Sequence, residues 1–239
     1  MPQNKISILC TKTIDEAAIS DAESRNVLVD VLTFIKTEPL SSIEIQQEIE
    51  QASTLEATVI FTSVNAVEAV SAELNDYKPR WRIFCIGHAT RLAVEKYFGA
   101  SLIGATAGNA KNLADAVIKK GDTDRVIFFC GDQRRDELPQ LLRKNNIDIH
   151  EVVVYHTIAV PCKIEKKYHG ILFFSPSSVQ SFFQRNQLDE QTTLFAIGNS
   201  TAAEIKKHST NKVIVGREPK KELLLAKAIN YFQTNSIRH

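Results

Sequence analysis

No apolar run in this chain of 239 residues approaches the roughly 20 residues that a membrane helix needs. The opening MPQNKISILC also lacks the basic start and long apolar core of a signal peptide, so a cytoplasmic protein without membrane contact is expected. Charge of one sign is missing too: 29 Lys and Arg stand against 28 Asp and Glu, a net +1. A surface that tracks phosphates is normally strongly basic, which argues against a general nucleic-acid partner. Cysteine is sparse. Cys10, Cys85, Cys130 and Cys162 form no C-x-x-C pair and at least three lie in apolar, strand-like runs, so reduced core thiols are expected. There is no G-x-G-x-x-G after a strand, no G-x-x-x-x-G-K-[ST], no G-x-S-x-G and no His/Cys ligand spacing. Nothing therefore requires a nucleotide or a metal. The six histidines, His88, His150, His156, His169, His208 and His239, are dispersed and default to structural or surface roles.

What the chain does have is a repeat. VIFTSVNAVEAV at 59–70 returns as ILFFSPSSVQSFF at 171–183, and RIFCIGHATRLAVEK at 82–96 returns as LFAIGNSTAAEIKK at 194–207. Gly87 answers Gly198 and Thr90 answers Thr201, at a near-constant interval the size of a domain. Two similar domains are implied, and the length allows each its own core. Hydrophobic residues at 44% and charged residues at 24% fit a globular protein rather than a disordered one.

From residue 57, apolar β-branched or aromatic runs alternate with helical stretches: ATVIFTS, RIFCIG, SLIGAT, RVIFFCG and HEVVVYHTIAV, with helices between, the one after RVIFFCG starting at Arg134. This order predicts βαβ units around a buried parallel sheet. The second copy, ILFFS, LFAIG and NKVIVG, stops short of its last unit, which the N-terminus supplies as ISILCT, a short helix and the strand NVLVDVLTFIK. The predicted fold is therefore α/β, with two doubly wound, flavodoxin-like domains. One is discontinuous, 1–36 plus 162–239; the other is inserted at 37–160. The crossings near 34–40 and 155–163 are extended and each contains a proline. They could pair as a two-stranded linker and hinge, with closure over a ligand as the expected motion and two rigidly docked domains as the alternative.

Small-residue turns close the strands at Thr62-Ser63, Gly87-His88-Ala89-Thr90, Gly131-Asp132-Gln133, Ser175-Pro176-Ser177 and Gly198-Asn199-Ser200-Thr201. Such turns present free N–H groups and the positive end of a helix dipole, which favour anions. Singly, Ser63, Ser175 and Ser200 are good N-caps and Pro176 suits the first helical position; five such turns together point to a multiply anionic ligand. Lys12, Arg91, Arg134, Arg135 and Arg217 stand nearby. A cation at a helix start opposes the dipole, so a ligand carboxylate or phosphate would explain Arg134 and Arg135. A solvated face with Asp132 and Asp136 as local partners explains Arg134 equally well. Tyr155 lies in a crossing strand, where a tyrosine is more often packing than catalysis.

The series IFTSVNAVEA, IGHATRLAVE, FFCGDQRRDELPQLL, VVVYHTIAVP, FFSPSSVQSF and IGNSTAAEI, spread over about 57–207, resembles the uroporphyrinogen-III synthases. That resemblance implies two α/β domains joined by a two-stranded linker. It also implies a cofactor-independent hydro-lyase that cyclises hydroxymethylbilane, a linear polycarboxylate tetrapyrrole, to uroporphyrinogen III through a spiro intermediate. It matches Tyr155 to the linker tyrosine that assists hydroxyl departure. Ser63, Thr90, Ser175, Ser200 and Thr201 match substrate-binding hydroxyls, and Arg135 the basic residue after Gly131, with Lys12 further contributing. Many relatives carry T-R-P where this chain has Thr11-Lys12-Thr13, and Pro219 is followed by Lys220. A monomer acting on a small molecule in porphyrin and haem biosynthesis is expected. The rival reading is a non-catalytic, two-lobed binder of some other polyanion; a flavodoxin-like redox pair would need a flavin site that the sequence does not contain.

Overall fold

The computed structural model describes residues 5–120 and 123–236; His239 and the outermost residues of the divided domain predicted from the sequence lie outside them. In chain order the elements begin β1 (Ile6–Cys10), α1 (Glu16–Ser24), β2 (Val27–Val31), β3 (Ile35–Pro39), α2 (Ile43–Thr54), β4 (Ala57–Phe61) and α3 (Val64–Leu74). They continue with β5 (Trp81–Ile86), α4 (His88–Tyr97), β6 (Ile103–Ala107), α5 (Ala110–Lys120), β7 (Arg125–Gly131), α6 (Glu137–Lys144) and β8 (Asp148–Ala159). The chain then forms β9 (Gly170–Phe173), α7 (Pro176–Phe183), β10 (Thr193–Ala196), α8 (Asn199–His208), β11 (Val213–Val215) and α9 (Lys221–Ser236). Two compact units result: a divided one, from the chain up to Lys36 and again from Ile158, and an inserted one over Thr37–Thr157.

The divided unit has a five-stranded sheet in the order β11-β10-β9-β1-β2, and the inserted unit's sheet has the order β3-β8-β7-β4-β5-β6. The pairs β1–β2, β1–β9, β9–β10 and β10–β11 are parallel, as are β4–β5, β4–β7, β5–β6 and β7–β8. The two crossing strands, β3 and β8, lie side by side. Both faces of each sheet are covered, which is why the strands read as unbroken apolar runs. In the inserted unit, Val59 and Phe61 of β4 pack beneath α2, α3 and α4, while Ile60 packs with Leu113 and Val117 of α5 and Leu138 of α6. Phe61 stacks on Phe98 and Phe129 at 5.9 and 5.6 Å between centroids. Burying such a ring contributes about 1.5–3 kcal/mol. The divided unit repeats the scheme, with α1 and α9 on one face and α7 and α8 on the other.

Three details differ from the sequence reading. The strand expected over NVLVDVLTFIK is two strands, β2 and β3, separated where Phe34 turns into the core and becomes fully buried. The sequence pattern offered no element between 40 and 57, yet α2 fills it, capped by Ser42 and buried through Ile49 and Ala52. The helix expected from Arg134 starts only at Glu137, because Arg134 N–H closes a turn onto the Gly131 carbonyl at 3.2 Å.

Candidate active site

In parallel βα units every strand ends at the same edge, where the following helix presents its first N–H groups. In the inserted unit, Ser63 follows β4 and caps α3, its Oγ accepting from Ala66 N at 3.2 Å. Gly87 follows β5 in a left-handed conformation, φ +87°, that suits glycine, and leads into α4. Thr90 is the third residue of α4 and is buried. Gly131 ends β7, and Tyr155 lies opposite it on β8.

Ser63, Gly131 and Tyr155 come together. A Cβ placed on Gly131 would stand 2.3 Å from Tyr155 Cζ, so the phenol ring lies directly over the glycine. Ser63 and Asn65, the latter in the first turn of α3, lie close enough to the Tyr155 side chain for hydrogen bonding to draw its pKa down. Burial pushes the phenol above its ordinary pKa, and these two neighbours pull it back. Asn65 was not among the residues singled out from sequence. Its repeat counterpart, Ser177, stands 3.2 Å from the capping Ser175 Oγ, and a polar residue two positions after each capping serine was the available signal.

Arg134 pairs with Asp136 and with Glu151 on β8, and Glu151 is also held by Arg143 at 2.5 Å. Of the two local partners expected for Arg134, Asp136 is found, whereas Asp132 instead accepts from Thr157 N and faces His156. Arg91 pairs with Glu95 at 2.8 Å within α4. Arg135 lies exposed in the turn before α6.

In the divided unit, Ser175 caps α7 by accepting from Ser178 N at 3.1 Å, with Pro176 next in the helix. Each such cap is worth about 1 kcal/mol. Ser200 does not cap α8. Gly198, extended, takes that position, which leaves Ser200 inside the first turn and Thr201 buried as the third residue. Lys12 is exposed beyond β1, near Thr13, whose carbonyl accepts from Lys221 Nζ at 3.0 Å. Cys10, Cys85 and Cys130 are buried free thiols in β1, β5 and β7, with burial raising Cys10 and Cys130 to about 12. Cys162 is partly buried and also unbridged.

A cavity of about 860 Å³ opens at the other, amino edge of the inserted unit's sheet, beside Arg80, Trp81, Arg82, Arg125 and His150. Arg80 pairs with Glu56 at 2.8 Å, Arg125 with Asp148 at 3.4 Å and His150 with Glu48 at 3.1 Å. Those charges are answered from within, and the βα turns lie at the opposite edge, so the carboxyl edge remains the better place for an anion. Among the described residues no cluster of three or more His, Cys, Asp or Glu is suited to hold a metal ion. None of their helices is long and apolar enough to cross a membrane.

Two doubly wound units, one interrupted by the other and both rich in hydroxyls and amides at the strand ends, define a two-domain α/β protein suited to an anionic ligand. Residues 17–226 match the family described as Uroporphyrinogen-III synthase HemD. The chain belongs to that family, lyases of tetrapyrrole and haem biosynthesis. A mutant uroporphyrinogen III synthase from Thermus thermophilus is similar in fold, with a TM-score of 0.66 at 11% identity over 96% of this chain and 99% of that one. The uroporphyrinogen-III synthetase of Helicobacter pylori gives a TM-score of 0.62 at 16% identity, over 95% and 99%.

Proposed function

We propose that this protein converts hydroxymethylbilane to uroporphyrinogen III, the reaction of its family, with Tyr155 as the acid that assists departure of the terminal hydroxyl. Departure as water leaves an azafulvene-type electrophile. The substituted carbon of the last ring attacks it to give a spiro intermediate, which fragments and recloses with that ring inverted. The chain must supply a proton at a poor leaving group and hold a flexible polyacid in a curled shape. Positioning of this kind is worth several kcal/mol. The reading assigns the carboxylates to the βα turns, through backbone amides and Ser63, Thr90, Ser175, Ser200 and Thr201, with Lys12 and Arg135 as cations. Unbridged cysteines support a cytoplasmic setting.

The observation that carries the role of Tyr155 is its seat: a phenol at the carboxyl edge of the sheet, lying over Gly131 and close to Ser63 and Asn65. The test offers freshly made hydroxymethylbilane to the protein and separates the oxidised products by chromatography. An excess of the type III isomer over the uninverted type I isomer of unassisted closure is expected. Type I alone would leave the chain a binder of polyanions and not a synthase.

A further inference from the structure

We propose that Gly131, a bulge at Val154 and Asn65 form a dedicated seat for Tyr155, which makes Gly131 and Asn65 positioning residues for proton delivery. The inference rests on Tyr155 being the acid.

Side chains alternate along a strand. In β8, Val152 and Val154 face the cluster under α2, α3 and α4, while Ile149 and Val153 face the cluster under α5 and α6. Strict alternation would send Tyr155 to the α5 and α6 side. It packs instead with Val152 and Val154. The cause is in the ladder: Cys130 pairs with Val153, but Gly131 pairs with Tyr155, so Val154 is an extra residue. A bulge of this kind bends the strand and re-aims a side chain. Here it turns the phenol toward the start of α3.

The re-aimed ring needs room. A Cβ at position 131 would lie 2.3 Å from Cζ, 2.6 Å from Cε2 and 2.7 Å from the phenolic oxygen of Tyr155. Those atoms are the hydroxyl end of the ring, so any side chain at 131 would displace the reacting group itself. Gly131 does not need its backbone freedom, since its φ is not among the positive ones; what matters is the missing Cβ. The loop after Gly131 then straps the bulged strand from Tyr155 to Thr157. Asp132 N–H donates to the Tyr155 carbonyl at 3.2 Å, and Asp132 Oδ1 accepts from Thr157 N at 2.9 Å. Asp132 Oδ2 faces His156 Nδ1 at 3.2 Å, and Gln133 Nε2 donates to the Thr157 carbonyl at 3.2 Å.

The hydrogen bonds set the proton's direction. Ser63 Oγ already accepts Ala66 N–H, which leaves its own hydrogen to donate, and the Asn65 amide carries two donors. Donation from both to the phenolic oxygen, the sense in which they lower its pKa, would leave the Tyr155 O–H to point at an outside acceptor. When the carbon–oxygen bond of the substrate breaks, that proton joins the departing hydroxyl to form water. The phenolate left behind keeps its two donors. At ring closure the α-carbon that forms the last bond loses its proton, which restores the phenol.

The experiment measures kcat and KM on hydroxymethylbilane for Gly131→Ala, Asn65→Ala and Tyr155→Phe, singly and combined. Gly131→Ala should lower kcat about tenfold to a hundredfold with KM nearly unchanged, the cost expected of a small misplacement. In the Tyr155→Phe background it should cost nothing further, because there is no hydroxyl left to misplace. Unchanged kcat in Gly131→Ala, a change confined to KM, or the same further loss without the phenol would each overturn the proposal. If Gly131→Ala does not fold by circular dichroism, Asn65→Ala decides: a fall of about fivefold or more in kcat alone supports the seat, and wild-type kcat overturns it. A wild-type rate in Tyr155→Phe removes the underlying acid reading as well, an outcome distinct from failure of the glycine variant.

Discussion

The two units carry the same strand pair twice, and it is finished differently in each. In the divided unit β1 and β2 run in unbroken register from Ile6 with Val27 to Cys10 with Val31. The next residue, Thr11, is buried and donates its hydroxyl to the Leu172 carbonyl at 2.8 Å. In the inserted unit the equivalent β7 and β8 slip by one residue after Cys130, and the residue corresponding to Thr11 is Gly131 with a phenol lying across it. One copy uses this corner to tie two strands together; the other opens it and places a phenol there. A duplicated scaffold has been made asymmetric by one missing side chain and one extra residue.

The sharpest way to break that comparison is Tyr155→Phe. Turnover should fall about a hundredfold or more, the usual worth of a positioned acid, while the circular dichroism spectrum stays unchanged. A wild-type rate would reduce the bulge to packing. Next come the matched threonines: Thr90→Ala and Thr201→Ala should each raise KM about threefold to tenfold, if both units share the carboxylates. Steady-state kinetics checks this, and complete loss from either one would mark a dedicated catalytic hydroxyl. Thr11→Val should cost about 1 kcal/mol in denaturant unfolding, the worth of one hydrogen bond, and leave turnover intact; a fall in kcat would show that the quiet corner also serves the reaction.

The smallest effect concerns Glu204 of α8, whose carboxylate is held below its ordinary range by Lys207 first, then by Gln180 and His208. A lowered folded-state pKa gives stability that is present above the unfolded value of about 4.3 and lost as pH falls through the folded one. Glu204→Gln should therefore melt earlier than wild type at neutral pH, with the gap closing below about pH 4. A gap that persists in acid would assign the effect to packing against Gln180.

The repeat made the architecture legible, because runs such as ATVIF and RVIFFC are buried on both faces and have no solvent-facing positions to disguise them. It also leads to Ser63, whereas Gly131 follows from the strand-end turns and Tyr155 from the crossing strand and the family resemblance. Helix α2 escaped because its apolar residues, Ile45, Ile49 and Ala52, are thinly spread among Glu and Gln and it belongs to no repeated block. The bulge escaped for a different reason: VVVY alternates in neither period, and only the partner strand reveals that Val154 is unpaired. Ser200 reads as a cap by residue type alone, but Gly198 fills that role two residues earlier. Asn65 looked like an ordinary helix residue until the ring of Tyr155 was turned toward it.

The indole of Trp81 donates to the Ala52 carbonyl at 2.9 Å and lies within 5.7 Å of Phe98 and 5.6 Å of Phe129, almost wholly shielded from water. It is also the chain's single tryptophan. Emission excited at the indole band will thus report on the inserted half alone, while far-ultraviolet signals sum both halves. Comparing the two melting curves tells whether an interrupted fold comes apart in one event or lets its guest go first.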